Sequence, residues 1–295
     1  VGVGFFFVAA GFFAYYSSVN KTIECSLKAS FSYVAKKLVS ILPLYGIGYL
    51  YFLLLSKPTF STAIINLFML QAWSSDDRIY FSLNGPSWYI AALVFCYFLF
   101  PFIYKIIKSA KRPALFLLAI LIIRVGIEAA VSFAHLSIAL HVFPIVRALD
   151  YTMGMLVAAL FLKYRNALKL NTLIASVLEL LSLASIIILG NNLTFRFNAV
   201  AIIVACCVLV FIFAFDKGIV SKALSFRLFD MFYSIQLEFY LLHSAVLSFT
   251  YSVIGLFLPL IKENVSIRVA VSYILLVVSC AIYRLLLKKP FEKTL

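Results

Sequence analysis

The features that could do chemistry are ionisable side chains set in apolar sequence. Such groups cost several kcal/mol in a bilayer unless they are paired or hydrated, so each is a candidate for function. His243 and Glu238 lie five residues apart in one apolar run. Imidazole titrates near neutral pH, which makes His243 the candidate general acid or base, with Glu238 its candidate companion. A histidine hydrogen-bonded between helices would give the same pattern. At roughly 100° per residue, the two side chains sit about 140° apart on a straight helix and must face different neighbours. Arg124 and Glu128, spaced i, i+4, can pair on their own helix and either brace a bundle or line a cavity. Arg147 and Asp150 begin a further apolar run, near an expected outer boundary where a hydrated pair carries little cost. Glu179 has no partner in its own segment; it is either protonated or paired with Arg124 across the bundle. Lys36 and Lys37 stand before an apolar run and could hold the phosphates of an anionic donor, although topology alone would also put positive charge there. His135 and His141 lie six apart in a loop. Neither they nor the five cysteines show metal-ligand spacing, so no metal is expected.

The elements that must position these groups are transmembrane helices. The stretch 84–105, NGPSWYIAALVFCYFLFPFIYK, sets the frame. A polar turn delivers the chain to Ser87, an expected N-cap. About 19 uncharged residues follow, enough to cross a hydrocarbon core of roughly 30 Å. Trp88, Tyr89 and Tyr104 mark its ends as interfacial aromatics, and Pro101 should kink it. Further apolar runs occupy 1–16, 38–55, 113–133, 146–162, 172–189, 197–215, 233–255 and 266–287, the second bent at Pro43. The longest connection, 56–86, carries an apolar stretch at 60–73 that is too short to span and reads as a surface or folded-over helix. Gly2, Gly4 and Gly11 invite close helix contact. The class is all-α: a single polytopic transmembrane bundle over residues 1–295, with nine spans visible.

Composition agrees. The chain is 65% hydrophobic with a mean hydropathy of +1.09, too little polar surface for a water-soluble domain of this length. The net charge of +14 would suit nucleic acid, but eighteen of the 25 basic residues fall on alternate loops, beginning with Lys21, Lys28, Lys36 and Lys37 and ending with Arg284, Lys288, Lys289 and Lys293. The positive-inside rule makes that side cytoplasmic, so the partner is a bilayer and no nucleic acid. Odd parity then places Val1 outside, which implies an upstream helix and a ten-helix whole.

Several stretches together resemble the membrane acyltransferase family 3, in particular the capsular O-acetyltransferase-like branch that modifies bacterial surface polysaccharides. GVGFFFVAAGFF (Gly2–Phe13) is similar to its second-helix pattern. YVAKKLVSILPLY (Tyr33–Tyr45) resembles its basic run ending Ile-x-Pro-x-Tyr. FSLNGPSWYIAALVFCYFLFP (Phe81–Pro101) resembles its Asn-Gly-x-Ser-Trp motif. RALDYTMGML (Arg147–Leu156) matches Arg-x-x-x-Phe-x-x-Gly-Met with Tyr151 in place of Phe. SIQLEFYLLH (Ser234–His243) resembles Tyr-Leu-x-His, and LLKKPF (Leu286–Phe291) its closing Lys-Pro. The six occur in family order.

The resemblance implies transfer of an acyl group, acetyl by expectation, from acyl-CoA to a hydroxyl of a cell-surface or lipid-linked sugar. Acetyl-CoA is then a donor substrate, a carbohydrate is the acceptor, and the site is the bacterial cytoplasmic membrane with the C-terminus inside. The main catalytic histidine is expected in the upstream helix. The resemblance gives Lys36 and Lys37 to the CoA phosphates and Trp88, Arg124 and Glu128 to the substrate cavity. Arg147 would contact the sugar or the oxyanion, and His243 and Glu238 would either support the reacting groups from behind or be acid/base residues. Two positions depart from the family pattern: its Arg-x-x-Arg reads Lys37 and Ser40, and the third-helix Glu is absent from Ala91–Phe95. The rivals are a glycolipid or polysaccharide transporter lined by Arg124, Glu128 and Glu179, and a non-catalytic membrane partner.

Overall fold

The computed structural model describes residues 2–191 and 198–285, and every regular element among them is helical. In chain order these are α1 (Gly2–Tyr16), α2 (Leu27–Val39), α3 (Leu42–Ser56), α4 (Phe60–Leu67), α5 (Asp77–Tyr80), α6 (Trp88–Ser109), α7 (Pro113–Phe133) and α8 (Pro144–Tyr164). Then follow α9 (Thr172–Asn191), α10 (Asn198–Phe213), α11 (Ile219–Leu224), α12 (Arg227–Phe249), α13 (Gly255–Phe257), α14 (Pro259–Glu263) and α15 (Val265–Tyr283). Among the described residues, six helices are long and apolar enough to cross a membrane, or seven if α2 and α3 form one bent span. Helices α1 and α10 are apolar but shorter. The nine apolar runs of the sequence each hold one of these elements. The closing LLKKPF stretch lies outside the described residues.

Three boundaries differ from the sequence reading. The stretch 17–37, expected as a loop, contains most of α2, so Leu38 and Val39 finish that helix instead of opening a span. The chain turns by 65° before α3, with Pro43 in its first turn, where a missing N–H leaves no bond unmade. Ser87 does not act as the expected cap. It closes a 3-10 turn (Gly85–Ser87), and its hydroxyl accepts from Gln71 Nε2 at 3.1 Å. Helix α6 then runs through Pro101 without a break. In place of the single apolar stretch 60–73, α4 ends at Leu67 and a 3-10 turn (Gln71–Trp73) follows.

The chain forms two compact units. The first comprises Val1–Val34 and Ala92–Phe226. Its centre is α8, buried on nearly all sides, against which α1 packs most closely. Gly11 lies on the Tyr151 carbonyl and Gly154 on the Val8 carbonyl, so the two backbones meet where any Cβ would collide. That is the small-residue contact through which apolar helices gain dispersion energy in lipid. Helix α7 is peripheral, with Leu118, Ile122 and Ile123 exposed along it. Tyr104, expected at the interface, is instead buried and donates to the Ser18 carbonyl at 2.7 Å, pinning the turn after α1.

The second unit comprises Ala35–Ala91 and Arg227–Leu295. Helix α12 packs on α15 and α3. The connection after α3 is closed by buried polar bonds: Tyr45 donates to the Asn66 carbonyl at 2.6 Å, and Asn66 Nδ2 donates to Ser82 Oγ at 2.7 Å. In a bilayer such groups must be satisfied internally.

The loop charges predict that exposed Lys28 lies inside and exposed Ser75 outside. In a variant with the native cysteines removed, Ser75→Cys should react with an impermeant thiol reagent in intact cells and Lys28→Cys should not. The opposite labelling would invert the topology.

Candidate active site

In the second unit, two motifs far apart in sequence are joined. Asn84 Nδ2 donates to the Leu241 carbonyl at 2.9 Å, and Tyr240 Oη donates to the Pro86 carbonyl at 3.0 Å. The Tyr89 and Tyr240 rings meet edge to face with centroids 5.4 Å apart. The Asn-Gly-Pro-Ser-Trp turn is thereby fastened to the Tyr-Leu-Leu-His segment of α12, two residues before His243. The His243 ring nitrogen Nδ1 lies 2.7 Å from the Tyr240 carbonyl. A carbonyl oxygen can only accept, so Nδ1 carries a proton, and it is Nε2 that holds the lone pair whenever the imidazole is neutral. His243 is half-buried, and the turn of α12 just before it is held by the Asn84 and Tyr240 bonds. This is the tautomer a general base needs, oriented by a fixed hydrogen bond.

Glu238 does not meet His243, as its spacing requires. It is buried and lies 3.7 Å from Arg284 Nε, while Arg284 Nη1 donates to Ser234 Oγ at 2.6 Å. Glu238 and Arg284 therefore connect α12 to the end of α15.

The first unit holds a four-membered charge cluster. Arg124 Nη1 donates to Glu128 Oε2 at 2.7 Å, the pairing expected from their spacing. Arg124 Nε also reaches Asp150 Oδ1 at 3.4 Å, and Arg147 Nη1 stands 2.9 Å from Asp150 Oδ2. Arg147 Nη2 donates to the Leu140 carbonyl at 3.3 Å, and its guanidinium lies 5.7 Å from the Phe7 ring centroid on α1. Two guanidinium and two carboxylate groups cancel. Arg124 and Asp150 are 1% and 0% exposed, and Arg147 is also buried. The hydrated boundary pair expected for Arg147 and Asp150 is thus a buried one, because α1 and α7 cover that face of α8.

Residues 1–284 match the acyltransferase domain that defines the acyltransferase 3 family. The chain belongs to that family. It is an integral membrane acyltransferase, and no curated protein and no solved structure matches it further.

In this acyltransferase Glu179 does not pair with Arg124. Its carboxylate accepts from the backbone N–H groups of Gly218 (3.1 Å), Val220 (2.9 Å) and Ser221 (3.2 Å), and from Ser221 Oγ (2.5 Å). Opening helices leave N–H groups unpaired, and a carboxylate at that end meets both their dipoles and their hydrogens. Gly218 is required there, since a Cβ would occupy the space of the carboxylate. Lys36 and Lys37 lie exposed in the last turn of α2, where the helix dipole favours cations. Ser40, which stands at the family's second basic position, donates to the Lys37 carbonyl at 3.2 Å and finishes that turn. Trp88 is buried at the start of α6. Of the sequence-predicted residues, Arg124, Glu128 and Arg147 come together in the first unit. Lys36, Lys37, Trp88, Glu238 and His243 belong to the second. Sequence reasoning missed Asn84, Tyr240 and Arg284 as partners of the α12 segment. The signals for Asn84 were a polar amide in a turn between apolar runs and its place in the Asn-Gly-x-Ser-Trp motif, neither of which names Leu241 as its partner.

Proposed function

We propose that this acyltransferase transfers an acetyl group from acetyl-CoA to a hydroxyl of a cell-surface or lipid-linked sugar, as the capsular O-acetyltransferase-like branch does, in a bacterial cytoplasmic membrane. The observation that carries the reading is the junction of the Asn84 turn with the Tyr240–His243 segment, which orients an imidazole with Nε2 as proton acceptor. In the reaction, Nε2 of His243 takes the proton of the acceptor hydroxyl as its oxygen attacks the thioester carbonyl. The carbonyl–sulfur bond then breaks, and the proton passes to the departing CoA thiolate, leaving a sugar ester and free CoA. No acyl-enzyme is required. Arg147 is assigned to the sugar or the oxyanion, with Asp150 and Arg124 fixing its position. Arg124 and Glu128 in the first unit, and Trp88 in the second, are each assigned to substrate contact, Glu238 to the support of α12, and Lys36 and Lys37 to the CoA phosphates.

The test is CoA release by the purified protein from acetyl-CoA, with and without a polysaccharide or lipid-linked sugar acceptor. Release should require the acceptor and yield an alkali-labile acetyl ester. Release indifferent to every acceptor, or none at all, would overturn the reading. Replacing both Lys36 and Lys37 with Ala should weaken acetyl-CoA binding, and the loss should shrink at high salt because exposed charges are screened. Unchanged affinity would leave these residues a topological role alone.

A further inference from the structure

The second unit contains a cavity of ≈ 370 Å³ between α3, α12 and α15, open on one side and separate from the His243 ring nitrogens. Leu242, Ala245, Val246 and Phe249 present one helical stripe of α12 to it, facing Ile47 and Leu275. His243 is one residue from Leu242 and so roughly 100° round the helix, on another flank. The lining is almost wholly hydrocarbon. Two of its members, Phe249 and Ile282, are 42% and 50% exposed, so the opening lies in the apolar surface. A space of this size and chemistry, reached through a lipid-facing surface, suits one alkyl chain. A methylene takes up much the same volume as a water molecule, ~30 Å³, so the cavity holds on the order of a dozen of them.

Beyond the lining, one turn further along the α12 stripe, lies an ion pair. Glu238 lies one turn before Leu242 on the same stripe, and Arg284 directly follows Tyr283, a lining residue. Arg284 is one-third exposed and spends one donor on Ser234 and one toward Glu238. A guanidinium has five, so among the described residues three remain for an anion, and a phosphate is the group its fork matches. Basic pockets between transmembrane helices recognise anionic headgroups in this way. We propose that this cavity is a structural lipid site that takes one chain of an anionic phospholipid, with the phosphate on Arg284. This site is independent of the proposed acyl transfer.

The test uses the full chain in nanodiscs with a phosphatidylglycerol probe that carries a diazirine at mid-chain. Photoadducts, mapped by mass spectrometry, should concentrate on the α3, α12 and α15 residues that line the cavity. Unlabelled phosphatidylglycerol should displace the probe and phosphatidylcholine should not. Ala245→Phe, which fills the space, should cut those adducts by at least about fivefold and leave adducts elsewhere unchanged. Ser279→Phe provides the same block if the first variant does not fold. Arg284→Gln should abolish the preference for the anionic lipid. Adducts spread evenly over the apolar surface, insensitivity to both Phe variants, or equal competition by phosphatidylcholine would overturn the proposal. Displacement by a polyprenyl phosphate but not by phosphatidylglycerol would overturn it too, giving the cavity to a different amphiphile. No acyl transfer is read, so a protein inactive on every acceptor would leave this result standing.

Discussion

Replacing His243 with Ala should lower acyl transfer by at least about tenfold, the lower range of general acid–base contributions, with expression close to normal. The ring is half-buried, so its loss opens little core. What it removes is the Nε2 lone pair. His243→Gln separates the roles, because a glutamine amide can still donate to the Tyr240 carbonyl but cannot accept a catalytic proton. Gln should be as inactive as Ala. Full activity in the Gln variant would make the residue a structural hydrogen-bonder, and full activity in Ala would make it packing. Either outcome removes His243 from the proposed chemistry.

The largest effect on stability should come from Asp150→Leu. That carboxylate is wholly buried and faces both Arg124 and Arg147. Without it two guanidinium groups share one remaining anion, Glu128, and the loss should be about 3–5 kcal/mol, as for other buried pairs broken on one side. Thermal unfolding in detergent measures it. The double variant Arg147→Leu with Asp150→Leu should recover most of the loss, because Arg124 keeps Glu128 at 2.7 Å and no unpaired charge stays buried. If the single variant melts like the parent, the cluster contributes nothing to cohesion. If the double variant melts like the single one, the loss comes from packing and not from charge.

Much of the fold was legible because lipid imposes a simple rule. A span must be long and apolar, so the runs from Trp88, Pro113 and Thr172 were plain in the sequence. The helix α2 was not. It is amphipathic and carries Lys28, Lys36 and Lys37, which read as loop polarity when only hydropathy is weighed. In the candidate site, spacing on a single helix was informative. Arg124 with Glu128 met as expected, and Glu238 with His243 stayed apart as expected. Pairing across helices was not legible. Glu179 looked like a partner for Arg124 because it had no cation in its own segment, yet it satisfies the backbone of α11, and backbone donors leave no trace in a sequence. The Asn84 link to Leu241 was hidden for the same reason, since a backbone carbonyl accepts there whatever the side chain.

The charge cluster also bears on how the protein enters the membrane. An arginine or aspartate at a helix centre costs about 2.5–3.5 kcal/mol at the translocon. Helices α7 and α8 carry two of the cluster's charges each, Arg124 and Glu128 on the first and Arg147 and Asp150 near the start of the second, and only a short loop joins them. Each helix carries its own pair, Arg124 with Glu128 and Arg147 with Asp150, and the Arg124–Asp150 contact at 3.4 Å, which joins the two pairs, forms only when both helices are together. The two helices should therefore partition into the bilayer as one hairpin. In a glycosylation-mapping assay, α8 should insert poorly alone and well when α7 precedes it, and Arg124→Leu should erode that assistance. Asp150 would then act first as an address shared between two nascent helices, well before any folded site exists.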